Sequence, residues 1–177
     1  MDQFHESGMI FQNSEEKTFF KIDDCHTYLS MNKHLKIADF LMLDHKSRET
    51  EKLFIIEAKQ SIPRDENTDR HAEFTNEIIS KLVHGLSLGL SLCLKRHHNP
   101  QDNFPDRLHK IKLDRVEFKL VVILRSLPVD ACNNFRSKLQ IQMRHIAKLA
   151  KIDIQSILVM NENMAKTYGI VIKGASA

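Results

Sequence analysis

The sequence predicts an α/β fold, a mixed central β-sheet flanked by helices. Three observations lead there. Short apolar runs such as "LKIADFLML" (35–43), "KLFIIEAK" (52–59) and "VEFKLVVILRS" (116–126) have the length and bulk of strands. Two longer segments, 76–95 and 133–151, carry apolar residues at helical spacing. The elements then run as a meander of strands, a helix, a strand, a helix and a strand, which sets helices against a sheet. With 177 residues, one domain spanning 1–177 is expected.

Taken in order, "KTFFKID" (17–23) has strand-like bulk between turn residues. In 35–43, Ile37, Asp39, Leu41 and Leu43 share one face, with Ala38, Phe40 and Met42 on the other. "DHKSRETE" (44–51) is short enough for a hairpin loop, so 52–59 is the antiparallel return, and the core hairpin spans 35–61. "SIPRDENTDRHAEF" is polar and contains a proline, which predicts a loop. In 76–95, Ile78, Ile79, Leu82, Val83, Leu86 and Leu90 form a helical stripe, and Gly85, Gly89 and Cys93 a small-residue stripe that lets the helix lie close on the sheet. The strand at 116–126 looks buried on both faces over Val121 to Leu124. The helix at 133–151 turns Phe135, Leu139, Ile146 and Leu149 inward. "SILVMN" (156–161), a short turn or helix near "NMAKTYG" and a final "IVI" complete the domain as C-terminal strands within 156–173.

Composition removes several function classes. Cys25, Cys93 and Cys132 lie far apart and form no zinc-type spacing, which predicts a reducing compartment and no structural zinc. The start "MDQFHESGMIF" has neither the basic nor the apolar region of a secretory signal, and the most apolar stretch, Ile78 to Leu94, is interrupted by Ser80, Lys81 and His84. No membrane association and a cytoplasmic location are expected. Charge is segregated. Residues 1–94 hold 11 Lys/Arg against 16 Asp/Glu, and residues 95–151 hold 13 against 5. An acidic half joined to a basic stretch suits a local carboxylate site and a polyanionic partner.

The chemistry concentrates where the most apolar strand ends. Leu53 to Ile56 are followed by Glu57 and Lys59 on one face, and the preceding strand carries Asp39 inside its own apolar run. Aspartate is a poor strand former and is seldom buried without a partner or a metal. In the proposed hairpin, Asp39 and Glu57 meet across adjacent strands. Two such carboxylates repel, and a divalent cation with hard oxygen ligands removes the conflict. Lys59 is then placed to donate to a metal-bound water or a phosphate oxygen. A different reading makes Asp39 the partner of Lys59 in a buried salt bridge of purely structural value.

"IADFLML" followed by "LFIIEAK" resembles the PD-(D/E)XK nuclease superfamily, with its restriction-endonuclease-like fold: an acid on one strand, E-x-K on the next, then a helix and a strand in the same order. Ala38 stands where the signature proline would be. The resemblance implies Asp39, Glu57 and Lys59 as catalytic residues. It implies Asp39, Glu57 and the Ala58 carbonyl as ligands of Mg2+, with Mn2+ able to substitute, and an upstream acid as a further ligand: Glu6, with Glu16 as competitor. Gln60 would touch substrate, and Lys81 is a candidate phosphate contact or else an exposed helix lysine. The implied activity is metal-dependent hydrolysis of phosphodiester bonds in nucleic acid, DNA first, with 95–151 holding the backbone. A homodimer or a partner subunit would supply specificity. The alternative is a catalytically inactive module on the same fold that binds nucleic acid or protein.

Overall fold

A computed structural model of the protein describes residues 2–31, 35–46, 50–63, 68–97 and 99–172. Its centre is a five-stranded mixed sheet. Strands β3 (Lys17–Lys21), β4 (Phe40–Asp44) and β5 (Lys52–Lys59) form an antiparallel meander, and β6 (Glu117–Leu124) and β7 (Ile157–Met160) continue it in parallel, in the order β3-β4-β5-β6-β7. The parallel step from β5 to β6 needs a crossover, and helix α2 (Thr68–Cys93) supplies it. A separate hairpin, β1 (Gln3–Glu6) and β2 (Met9–Gln12), precedes the sheet. Shorter helices are α1 (His26–Leu29), α3 (Asp106–His109), α4 (Val129–Gln142), α5 (Arg144–Leu149) and α6 (Glu162–Thr167). No helix among the described residues is long and apolar enough to cross a membrane.

The sheet is covered on both sides, which is why its central strands read as unbroken apolar runs. On one face Leu41, Leu43, Leu53, Ile55, Leu120, Val122 and Leu124 pack with Ile78, Leu82 and Leu86 of α2 and Phe135 and Leu139 of α4. On the other, Phe40, Met42, Phe54, Ile56, Val121 and Ile123 pack with Met9 and Phe11 of the hairpin and Ala165 of α6. Leu53 to Ile56 are all at most 2% exposed, and each such side chain contributes about 1.5–3 kcal/mol by leaving water.

Several expected boundaries shift. β5 spans 52–59 as expected, but α2 begins at Thr68 rather than 76, so part of the polar segment expected as loop is helical. Its polar side faces solvent, and nothing after Pro63 breaks the helix. β3 stops at Lys21, where a 3-10 turn, Ile22–Asp24, begins. β4 begins only at Phe40: the chain bends at Asp39, and Ala38 joins the α2-side core instead of the opposite face. The helix expected at 133–151 is two, broken at Met143. That break changes the inward stripe to Met143 and Ala147 and leaves Leu149, expected inside, 90% exposed. At the C-terminal end, β7 is the one strand among the described residues. Ile172 makes a single bridge to Ile10, and Lys173 lies outside the described residues.

Candidate metal centre and its lysines

The site forms where β4 and β5 part. Phe40 faces Ile56, and the Asp39 N–H donates to the Ile56 carbonyl at 3.0 Å. There the Asp39 side chain takes over the ladder: its Oδ2 accepts the Ala58 N–H at 2.6 Å. The bend is fixed from the other side by α2, whose Lys81 carbonyl accepts the Ala38 N–H at 3.1 Å. A proline at 38 would have no N–H to give, so an alanine there has a structural use. Gly85 makes the approach possible, because a Cβ there would lie 2.9 Å from both the Ala38 Cβ and the Ile55 Cγ2.

Glu57 follows Ile55 on the α2 face and is fully buried. Its Oε1 accepts from the Lys81 ammonium at 2.8 Å and lies 3.1 Å from Lys59, while Oε2 has no hydrogen-bond partner among the described residues. Lys81 also stands 3.9 Å from Asp39 Oδ1. Burial pushes the Glu57 carboxyl up to about 7, the Asp39 charge adds to this, and Lys81 and Lys59 oppose it. Burial also raises Asp39, against the Ala58 N–H and Lys81. For Lys81, burial works against the charge, but Glu57 and Asp39 outweigh it and hold the ammonium above its ordinary pKa.

A second group of oxygens lies beside this one. Glu6, Asp23 and Asp39 each place a carboxylate oxygen so that all lie within 4.8 Å of one another. Glu6 ends β1, and Asp23 sits in the 3-10 turn after β3. The β1–β2 turn is built for this position. Ser7 and Gly8 both have positive φ (50° and 74°), the geometry of a tight hairpin turn, and a Cβ at Gly8 would run into the Arg125 guanidinium. The turn is tied to the sheet by the Ser7 hydroxyl, which donates to the Ala58 carbonyl at 2.9 Å, and the Ser7 N–H donates to Glu6 Oε1 at 3.1 Å. Lys21 lies 3.7 Å from Glu6. Asp23 Oδ1 is buried without a partner among the described residues, and burial together with Asp39 pushes this carboxyl up to about 7, with Lys21 opposing.

The structure thus brings Glu6, Asp39, Glu57, Ala58 and Lys59 to one edge of the sheet. Within that edge the roles divide. Glu6 and Asp39 join Asp23, whereas Glu57 is engaged by two lysines and the Ala58 carbonyl by Ser7. Glu16 lies elsewhere, on the surface with Lys46 at 3.6 Å. Gln60 is exposed just beyond β5. Lys59 pairs with Glu57, and the cation nearest Asp39 is Lys81. The sequence reading missed Asp23 and Ser7 and gave Lys81 too little weight. "ESGM" held a signal for the turn, a Ser-Gly pair between alternating residues. The basic stretch 95–151 is spread over several elements, and parts of it serve the fold: Arg107 reaches the Glu15 carbonyl, Lys119 pairs with Glu117, and Arg125 with Glu162. Comparison with protein-family models, curated proteins and solved structures gave no match to this chain.

Proposed function

We propose that the chain is a metal-dependent nuclease of the PD-(D/E)XK type, hydrolysing phosphodiester bonds in nucleic acid, DNA first. The observation that carries this reading is the convergence of Glu6, Asp23 and Asp39 within 4.8 Å beside a buried Glu57. The donor set fits a hard divalent cation such as Mg2+ or Mn2+, being all carboxylate oxygen. The two buried, unpartnered oxygens, Asp23 Oδ1 and Glu57 Oε2, are what a site shaped for a missing positive charge would show. The acid at the bend just before β4, the E-x-K that ends β5, and the helix and strand that follow match the family order.

Glu6, Asp23 and Asp39 would hold the cation, which when bound polarises a phosphate and lowers the pKa of water. The protein's own groups do the rest. Lys81, with a side chain 15% exposed, stays on Glu57 and keeps that buried charge compensated. Lys59, 30% exposed and at the mouth, swings from Glu57 to a phosphate oxygen and steadies the charge that develops there. The Ser7 tether holds the Glu6 turn against the sheet so that the carboxylate geometry is set before substrate arrives.

The test incubates labelled single- and double-stranded DNA and RNA with Mg2+, Mn2+ or EDTA, beside Asp39→Asn, Glu57→Ala and Lys59→Ala. Cleavage with metal, none in EDTA and a loss of at least about 100-fold in each variant are expected, as for removal of transition-state charge stabilisation. Equal cleavage by wild type and variants would mean a contaminant and end the assignment.

A further inference from the structure

Beside the lysines, on the outer side of α2, lies an open groove of about 640 Å³. That is within the roughly 300–1,000 Å³ usual for small-molecule sites. One stripe of α2 lines it (Arg70, Glu73, Phe74, Glu77), with Asn76 and Ser80 at its side and Lys36 opposite. The stripe leads straight to the site. Phe74 and Lys81 are two helical turns apart on one side of α2, about 10 Å at 1.5 Å per residue. Ser80 is next to Lys81 in the chain, and the fields of Lys59 and Lys81 both reach the Glu77 carboxyl.

Among the described residues, the lining is not that of a phosphate track. Lys36 and Arg70 are balanced by Glu73 and Glu77, and Lys36 is bonded to Glu77 at 2.7 Å. What the groove offers is a neutral rim, an amide at Asn76, and an aromatic wall from Phe74, whose ring is braced by Phe135 at a centroid distance of 5.9 Å. An aromatic surface with polar edges recognises a base, and the ammonium placed to recognise phosphate sits one step away at Lys59. A base inside a duplex cannot enter such a groove without leaving its stack.

We propose that this groove is a nucleobase subsite, taking one unpaired base of the strand whose phosphate lies at Lys59, so that the chain prefers single-stranded or frayed nucleic acid. The identity of the ligand rests on the nuclease reading; the subsite itself is tested without turnover. An oligonucleotide carrying one 2-aminopurine is titrated into the protein in EDTA, single-stranded and then as a blunt duplex, with anisotropy and base fluorescence read together. Phe74→Leu removes the aromatic wall but keeps apolar packing. Asn76→Met fills the groove from an exposed position with an uncharged side chain, and thermal melts establish that each variant is folded. The single strand should bind about tenfold more tightly than the duplex with its fluorescence quenched, and each variant should lose about tenfold in affinity and most of the quenching, the scale of one stacked base. Unchanged affinity and quenching in two folded variants, or a duplex bound as tightly as the single strand, overturns the subsite. Cleavage that survives in groove variants with unaltered binding sinks this inference alone. Groove-dependent binding by a protein that never cleaves sinks the nuclease reading and leaves a single-strand binder.

Discussion

At Asp39 the carboxylate completes the β4–β5 ladder by accepting the Ala58 N–H at Oδ2, and the same side chain belongs to the carboxylate cluster. The two functions separate by substitution. Asp39→Asn keeps an oxygen for the Ala58 N–H and removes a negative charge from a crowded site, so in EDTA its stability should match the wild type or exceed it. Asp39→Ala leaves the Ala58 N–H buried without an acceptor and should lose about 1–3 kcal/mol. Both should lose measurable Mn2+ binding by calorimetric titration. A melt in which the Asn variant is as unstable as the Ala variant would show that the charge itself supports the fold through Lys81, and the cluster would be structural. The same residues mark how far a sequence can reveal a site. Asp39, Glu57 and Lys59 were legible because strand alternation and an acid in an apolar run are local signals. Asp23 was not, since it reaches the cluster only when the turn after β3 folds back beside the hairpin. For Lys81 the sequence leaves open a phosphate contact or an exposed helix lysine, because its role depends on which way α2 is rolled.

That roll is set by small residues on α2, and the element scale is where it is tested. A Cβ on Gly85 would press on Ala38 and Ile55 at 2.9 Å, and Ala38 is held by its own N–H bond to α2 and cannot yield without moving Asp39. The three atoms nearest a Cβ on Gly89 all belong to the Leu41 side chain, with Cδ2 at 2.9 Å. Alanine gains about 1 kcal/mol of helix propensity at either position, and overpacking costs about 1–3 kcal/mol where the neighbour is rigid. Gly89→Ala should therefore be nearly neutral in urea unfolding, and Gly85→Ala should be destabilised by up to about 2 kcal/mol with weaker metal binding. Equal effects at the two positions would show that the helix does not position the acid. The small-residue stripe was readable from the sequence and so was the existence of α2, but its start was not. The first turns are polar and face the groove, so no apolar periodicity marked them. The break at Met143 was hidden for the opposite reason: apolar residues continue on both sides of it, and only the packing of Met143 and Ala147 shows that the stripe has changed phase.

Across the whole molecule, the site acts as a store of unfavourable charge, and its sign can be worked out. Asp23 and Glu57 have ordinary pKa values of 3.8 and 4.5, and each is raised to about 7 in the fold. An acid whose folded pKa lies above its unfolded value binds its proton more tightly when folded. The fold therefore has the full benefit of that proton below about pH 4 and loses it steadily as pH rises from there to about 7. These two groups push stability downward over that window, the reverse of what paired surface carboxylates do. A divalent cation bound there, as proposed, would replace the protons, stabilise the ionised forms and favour the folded state by mass action, with protons competing at low pH. The melting temperature in EDTA should fall between pH 5 and pH 8, and the rise produced by Mg2+ or Mn2+ should be larger at pH 8 than at pH 5. Glu57→Gln should flatten part of the decline in EDTA, since it removes one of the two titrating groups while keeping an acceptor for Lys81. If the gap between metal and EDTA proves independent of pH, or widens toward acid, the carboxylates are neutralised by lysines alone, and no cation belongs between Glu6, Asp23 and Asp39.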